Sequence, residues 1–326
     1  MNEHNKTSKV VEMLSIVISV YNEEEALSMF YEELKKNIES VPLKLKYELL
    51  FVNDGSVDNS LSIMRNIASK DSNVRIINFS RNFGHEAAML AGIERSKGNA
   101  IICMDADLQH PPNQILEIAE KFSNGYDIVI MKRLDNESAG FFRKLFTKSF
   151  YFLINKISPI KLEPNATDFF LISREVAKVI TNEFHERTIF LRGLLQNIGF
   201  NKATIEFTAP KRFAGKSKYS IFKLFALSFL AISSLSKIPL YTGIFLGVIT
   251  SIFGLIVTFY SVIMKILGHT PPGYTTLVVL ESFLFSIAFL LIGIVGYYIG
   301  IILTEVKNRP IYIVKEEIEQ NKDKGL

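Results

Sequence analysis

From Leu14 to about residue 136, strand-like and helix-like segments alternate without a break, and that alternation constrains the fold more than any other property of the chain. Leu14–Val20, Tyr47–Asn53, Val74–Phe79, Ala100–Met104 and Asp127–Lys132 are apolar and rich in Val and Ile. Between them, Glu23–Ile38, Ser60–Ser69, His85–Ser96 and Asn113–Ser123 show helical periodicity with charged faces. Such a chain forms a mostly parallel sheet covered by helices on both faces. Asn22, followed three residues later by Glu25, predicts a capping box at the start of the first helix.

Ligands of such sheets bind beyond the carboxyl ends of the strands. The run Ile101-Ile102-Cys103-Met104-Asp105-Ala106-Asp107-Leu108-Gln109 places two carboxylates and an amide at one such end. Asp105, Asp107 and Gln109 offer hard oxygen ligands suited to Mg²⁺ or Mn²⁺, the ions that nucleotide diphosphates carry. The blander reading of the pair is a solvated loop. Asp54-Gly55-Ser56, taken alone, is ordinary turn chemistry. Tyr21-Asn22-Glu23 follows the first strand, so three polar sites emerge at strand ends on one edge, and Tyr21, Glu23, Asp54 and Asp105 become candidate substrate-binding residues. Together they outweigh the blander reading. His85 and His110 lie in no metal-ligand spacing and read as helix-terminal or surface histidines.

Beyond residue 136 the pattern loosens. Phe141–Lys156 reads as an amphipathic helix, Asp168–Ile172 as a short strand, Glu175–Ile198 as one or two helices and Thr204–Thr208 as a further strand. The composition then changes. Leu224–Ser236 is uncharged over about 13 residues, a length that suits a membrane-interface segment. Pro239–Met264 and Ser282–Thr304 are uncharged over about 26 and about 23 residues, each long enough to cross a bilayer. Glycines at 243, 247 and 254, and at 293, 296 and 300, suit close helix packing and a homo-oligomer. A buried core helix is the soluble alternative, and two such runs around a short Gly/Pro loop argue against it.

The flanks give an orientation. Lys211, Arg212, Lys216, Lys218, Lys223 and Lys237 precede the first run, and Lys307, Arg309 and Lys315 follow the second. The connecting loop offers only Lys265 and His269. The positive-inside rule then places both termini in the cytoplasm. Residues 1 to 9 are polar and lack an apolar core, so no cleaved signal peptide is expected. A chain that is 48% hydrophobic yet 21% charged fits a soluble part joined to a membrane part. Its net charge of +4 gives no reason to expect nucleic acid as a partner. The single cysteine, Cys103, excludes an internal disulfide and reads as core packing.

Ile18-Ser19-Val20-Tyr21-Asn22-Glu23-Glu24, Val52-Asn53-Asp54-Gly55-Ser56, Arg81-Asn82-Phe83-Gly84 and Asp105-Ala106-Asp107-Leu108-Gln109-His110-Pro111-Pro112 resemble the motifs of GT-A, family 2 glycosyltransferases. Arg212-Phe213-Ala214-Gly215-Lys216-Ser217-Lys218-Tyr219 and the two long uncharged runs narrow the resemblance to the polyprenyl-phosphate type. That type includes the undecaprenyl-phosphate glucosyltransferases and the dolichol-phosphate mannose synthases. The resemblance implies an α/β GT-A (Rossmann-like) catalytic domain over 1–210, an active-site loop and interfacial segment over 211–238, a two-helix transmembrane hairpin over 239–304 and a cytoplasmic tail over 305–326. It implies a multi-pass cell-membrane enzyme that moves one sugar from a nucleotide sugar to a polyprenyl phosphate, with inversion at C1.

Carried over by position, Asp54 contacts the nucleobase, and Asp107, with Asp105 and Gln109, holds the divalent ion. Arg212 and Lys218 bind the lipid phosphate or the donor diphosphate, with Arg133 and Arg143 as similar candidates. Nonspecific binding of anionic headgroups is the alternative for the basic run. Asp168 falls where the family has a catalytic carboxylate, although Phe170 replaces the usual basic residue. A phosphate monoester has its second pKa at about 6, so Asp168 either serves as a base or orients groups.

Rivals fare worse. A processive polysaccharide synthase needs a Gln-x-x-Arg-Trp motif, and the chain has no Trp. A nicotinamide enzyme needs Gly-x-Gly-x-x-Gly where Tyr21-Asn22-Glu23 stands. A non-catalytic scaffold has no use for the intact carboxylates. The donor stays open between UDP-glucose, UDP-N-acetylglucosamine and GDP-mannose, with the two-run tail favouring a UDP-sugar.

Overall fold

The computed structural model describes residues 8–40, 46–134, 163–184, 190–208, 210 and 273–320, with scattered positions between 245 and 267. The chain falls into two units, one holding the sheet and one holding the long apolar helix.

The alternation resolves into β1 (Met13–Val20), α1 (Leu27–Glu39), β2 (Lys46–Asn53), α2 (Ser60–Lys70), β3 (Val74–Phe79), α3 (His85–Arg95), β4 (Ala100–Asp105), α4 (Ile115–Ser123) and β5 (Ile128–Arg133). Then follow β6 (Ala166–Ser173), α5 (Arg174–Glu183), α6 (Leu191–Asn197) and β7 (Lys202–Phe207). The stretch Glu175–Ile198 is thus two helices, and Ser173 caps the first by accepting from the backbone N–H of Val176. The strand order is β7-β5-β6-β4-β1-β2-β3-β8, where β8 is Val314–Glu319. Only β6 and β8 run against the other strands of this sheet, so it is mixed and mostly parallel.

The core explains the apolar runs. Successive residues of one strand are buried on opposite faces, as the pleat requires. Ile16, Ile18, Leu49, Phe51, Ile102 and Met104 pack with α1, α2 and α4. Val17, Leu50, Val52, Ile101 and Cys103 pack with α3, α5 and α6. Cys103 is fully buried, and burial pushes its thiol well up. It is core packing, as read.

Two sequence expectations change. The capping box is absent: α1 begins at Leu27 with no side-chain cap, and the Glu23 carbonyl accepts from Ala26 and Leu27 instead. Asn22 is drawn into a longer-range pairing. Its N–H donates to Ser56 Oγ at 3.0 Å, and its Oδ1 accepts from Val57 at 2.9 Å, with φ at 55°. Those bonds tie the loop after β1 to the loop after β2. Residues 305–326, read as a tail, contain β8, which closes the sheet antiparallel to β3. Its carboxylates are matched by Arg65, Arg75, Arg95 and Lys97, which pair with Glu316 on one face and with Glu317 and Glu319 on the other.

In the second unit, α7 (Tyr274–Val306) contains the expected run Ser282–Thr304. Phe283–Val306, with mean hydropathy 2.4, is the one helix among the described residues long and apolar enough to cross a membrane. The run 239–264 is described only at scattered helical positions, so a second span is not established. Residues 141–156 and 224–236 lie outside the described residues, as do Arg143, Arg212 and Lys218.

Candidate active site

The sheet reverses its winding at β1, which has β2 on one side and β4 on the other. A crevice outside the strand ends is expected there. Ser19 of β1 sits in register with Asp105 of β4. The β4–β6 register pairs Cys103 with Phe170, and beyond that pair Asp105 and Asp168 both lie within ion-pair distance of His85. Ser19, Asp105 and Asp168 therefore converge on one imidazole.

Two carboxylates side by side repel each other. His85, the first residue of α3, stands between them. Its Nδ1 lies 2.9 Å from Ser19 Oγ and 3.5 Å from Asp105 Oδ1, and its Nε2 lies 3.4 Å from Asp168 Oδ2. Burial works to lower its pKa, but the charges of Asp105 and Asp168 outweigh it and hold the ring up at about 10. The two carboxylates therefore favour the protonated ring. Nδ1–H then donates to Ser19, whose hydroxyl donates in turn to Asp105 Oδ1 at 3.2 Å. A cation at a helix N-terminus opposes the helix dipole, so the carboxylates are what keep it there.

Asp168 is bound on its other side by Arg192, through Nε to Oδ1 at 2.6 Å and Nη2 to Oδ2 at 2.5 Å. Burial would raise its carboxyl, yet Arg192 and His85 hold it well below the usual range. Glu86 completes the cluster. Burial first, and the charge of Asp168 second, push it up to about 7, and its Oε2 accepts from the Leu191 N–H at 3.3 Å.

The Asp105–Gln109 turn is built locally. Asp107 Oδ1 accepts from the Gln109 N–H at 3.0 Å, and Leu108 takes φ of 62°. His110 is buried, against the surface reading, and stacks on Phe169 with centroids 5.2 Å apart. Its Nδ1 accepts from the Asp105 N–H at 2.9 Å, so the proton of the neutral ring sits on Nε2. Among the described residues no three His, Cys, Asp or Glu side chains are grouped as a metal cage.

Asp54 is buried and faces backbone. Its Oδ1 accepts from Phe83 at 2.7 Å, and its Oδ2 accepts from Gly84 at 3.0 Å. Burial raises its pKa against those two bonds. The loop it holds presses on Gly55 (φ 67°), where an added Cβ would come within 2.3 Å of the Arg81 carbonyl carbon. Arg81 lies over the Phe83 ring at 3.9 Å. Tyr21 is exposed, and the Glu23 N–H donates to Ser60 Oγ at 2.9 Å. Arg133 ends β5, its N–H bonded to the Asn165 carbonyl at 3.0 Å.

The structure thus brings Asp105 and Asp168 together, with Asp107 two residues on. It adds His85, Glu86 and Arg192, none of which the sequence reading assigned to the site. His85 directly follows Arg81-Asn82-Phe83-Gly84, a signal that was available; Glu86 and Arg192 carry no local one.

A mostly parallel α/β sheet whose strand ends present Asp54, Asp105 and Asp168 is a GT-A-like fold, and the enzyme class it serves here is that of the glycosyltransferases. The chain belongs to glycosyl transferase family 2, whose pattern matches residues 15–181, from β1 into α5. It is 38% identical over 303 residues to the uncharacterized glycosyltransferase YkcC of Bacillus subtilis (strain 168), covering 93% of each chain. It is equally 38% identical over 312 residues to the bactoprenol glucosyl transferase of Shigella phage SfII, covering 94% of this chain and 99% of that one. The prophage bactoprenol glucosyl transferase homolog of Escherichia coli (strain K12) is 37% identical over 303 residues, covering 93% and 98%.

Proposed function

We propose that the protein transfers one glucosyl residue from a nucleotide sugar, UDP-glucose by preference, to a polyprenyl phosphate at a membrane surface. The observation that carries this reading is the cluster of Ser19, Asp105 and Asp168 around His85 in a chain related over almost its whole length to bactoprenol glucosyl transferases. A lipid phosphate oxygen attacks the sugar C1 from the face opposite the diphosphate, the C1–O bond to the diphosphate breaks, and the anomeric configuration inverts.

The donor set fits a divalent ion. Mg²⁺ is commonly held by one or two carboxylates and completed by substrate phosphates, so Asp105 and Asp107 suffice without a protein cage. When bound, the ion neutralises charge on the departing diphosphate. Asp54 holds the loop at Phe83 and Gly84 beside the strand ends, and Asp168 stands across His85 from Asp105. Arg212 and Lys218 supply positive charge for the lipid phosphate. The apolar helix α7 anchors the chain in the bilayer where the acceptor resides.

The test is a donor panel of UDP-glucose, UDP-N-acetylglucosamine and GDP-mannose, with the purified full-length protein and undecaprenyl phosphate. Lipid-linked glucose from UDP-glucose, abolished by EDTA and by Asp107→Asn, is expected. Lipid-linked mannose from GDP-mannose would move the donor assignment, and no lipid product from any donor would refute the reading.

A further inference from the structure

Arg192 has no place in the chemistry described so far, yet it makes the closest polar contacts of the site. Its fork meets both oxygens of Asp168, and Nη1 donates to the Ala166 carbonyl at 3.2 Å, fixing the plane of the guanidinium. Arg192 is presented by the first turn of α6, which Glu86 holds by accepting from the Leu191 N–H. On the far side of Asp168, His85 Nε2 stands at ion-pair distance. Two-point pairing of this kind fixes direction as well as charge. A proton placed on either oxygen of Asp168 would break one arm of the fork and leave a guanidinium facing a neutral acid.

The transfer makes no demand for such a proton. Polyprenyl phosphate dianion and a nucleoside-diphosphate sugar carry four negative charges between them. One C–O bond forms, one breaks, and a sugar phosphodiester monoanion and a nucleoside diphosphate trianion carry the same four. A fixed anion beside C1 is suited instead to accept from sugar hydroxyls and to favour the positive charge that develops at the anomeric carbon.

We propose that Arg192 is a positioning residue for sugar transfer, acting through Asp168, which it fixes as an orienting anion rather than a proton acceptor. This rests on the placement of Asp168 in the active site under the function proposed above.

The test is a double-mutant cycle in the full-length enzyme: Arg192→Ala, Asp168→Asn, the pair together, and Arg192→Lys as the charge-conserving variant. Arg192→Ala is expected to lower kcat by about tenfold or more with donor KM changed less than about threefold. Added to Asp168→Asn, it should cost less than about twofold further. Arg192→Lys keeps the charge without the fork and should recover only part of the rate. Wild-type kcat in Arg192→Ala, or losses that multiply in the double variant, would overturn the proposal. So would a rate loss matched by collapse of the unfolding midpoint with no recovery in Arg192→Lys. Should the wild type hydrolyse a nucleotide sugar but transfer nothing to lipid, the acceptor reading fails by itself, and the same cycle is read on hydrolysis. Expected coupling there supports Arg192, and its absence refutes it.

Discussion

Burial and the neighbouring charge of Asp168 both disfavour the charged form of the Glu86 carboxyl. Its pKa of about 7 in the folded protein exceeds the usual 4.5, so the folded state binds the proton more tightly than the unfolded one. Stability must then fall as pH rises from about 4.5 to about 7. Asp168 titrates below that window and His85 enters only toward its upper end, so the lower part is carried by Glu86 together with Asp54, whose carboxyl burial also raises. Glu86→Gln should make the fall of the unfolding midpoint between about pH 4.5 and about pH 6 shallower; an unchanged slope would remove Glu86 as a source of it. Gly55 makes a second prediction at this scale. An alanine there meets backbone at 2.3 Å with φ at 67°, so Gly55→Ala should cost about 1–3 kcal/mol and weaken donor binding. Calorimetry of unfolding and nucleotide titration read the two effects; wild-type values in both would show that the 81–84 loop moves aside freely.

Among the elements, β8 is the most consequential one the sequence did not disclose. Its residues Val-Lys-Glu-Glu-Ile-Glu alternate, but only Val314 and Ile318 pack on the core, and the exposed face carries charge. Apolar density is what makes β1, β2 and β4 legible, since burial on both faces demands unbroken Val, Ile and Leu. An edge strand has no such demand, and its partner β3 lies far upstream in the chain. The same logic divides the site. Asp54, Asp105 and Asp168 were legible because each sits in a motif at a strand end, whereas Glu86 and Arg192 reach Asp168 only through helix packing. The capping box failed for a related reason: Asn22 found partners across the sheet edge rather than in its own helix. Truncation after Ile313 should therefore cost more than about 2 kcal/mol, because it strips the paired edge and Ile318. Glu317→Ala alone, which removes one exposed pair with Arg95, should cost no more than about 1 kcal/mol. Equal losses from the two changes in denaturant melts would show that charge, and not the strand, holds this edge.

For the molecule as a whole, the single cysteine is an experimental asset. Cys103 is fully buried and its thiol is pushed well up, so it should resist membrane-impermeant maleimides in the folded protein. A cysteine placed on the exposed face of α2, Ser62→Cys, and one placed in the sequence between the two long uncharged runs, His269→Cys, then report orientation directly. Labelling of His269→Cys in intact cells, and of Ser62→Cys only after permeabilisation, is expected from the charge asymmetry of the flanks. The reverse pattern would invert the proposed topology. The position of β8 has one more effect, on the order of events during synthesis. Strand β3 leaves the ribosome early, and the strand that covers it is not made until the apolar helix α7 has been translated. At about 5–20 residues per second the β3 edge waits roughly 10–50 s for its partner. Through that interval the nascent sheet presents an open edge to any passing strand, and the interval includes the synthesis of the long apolar helix.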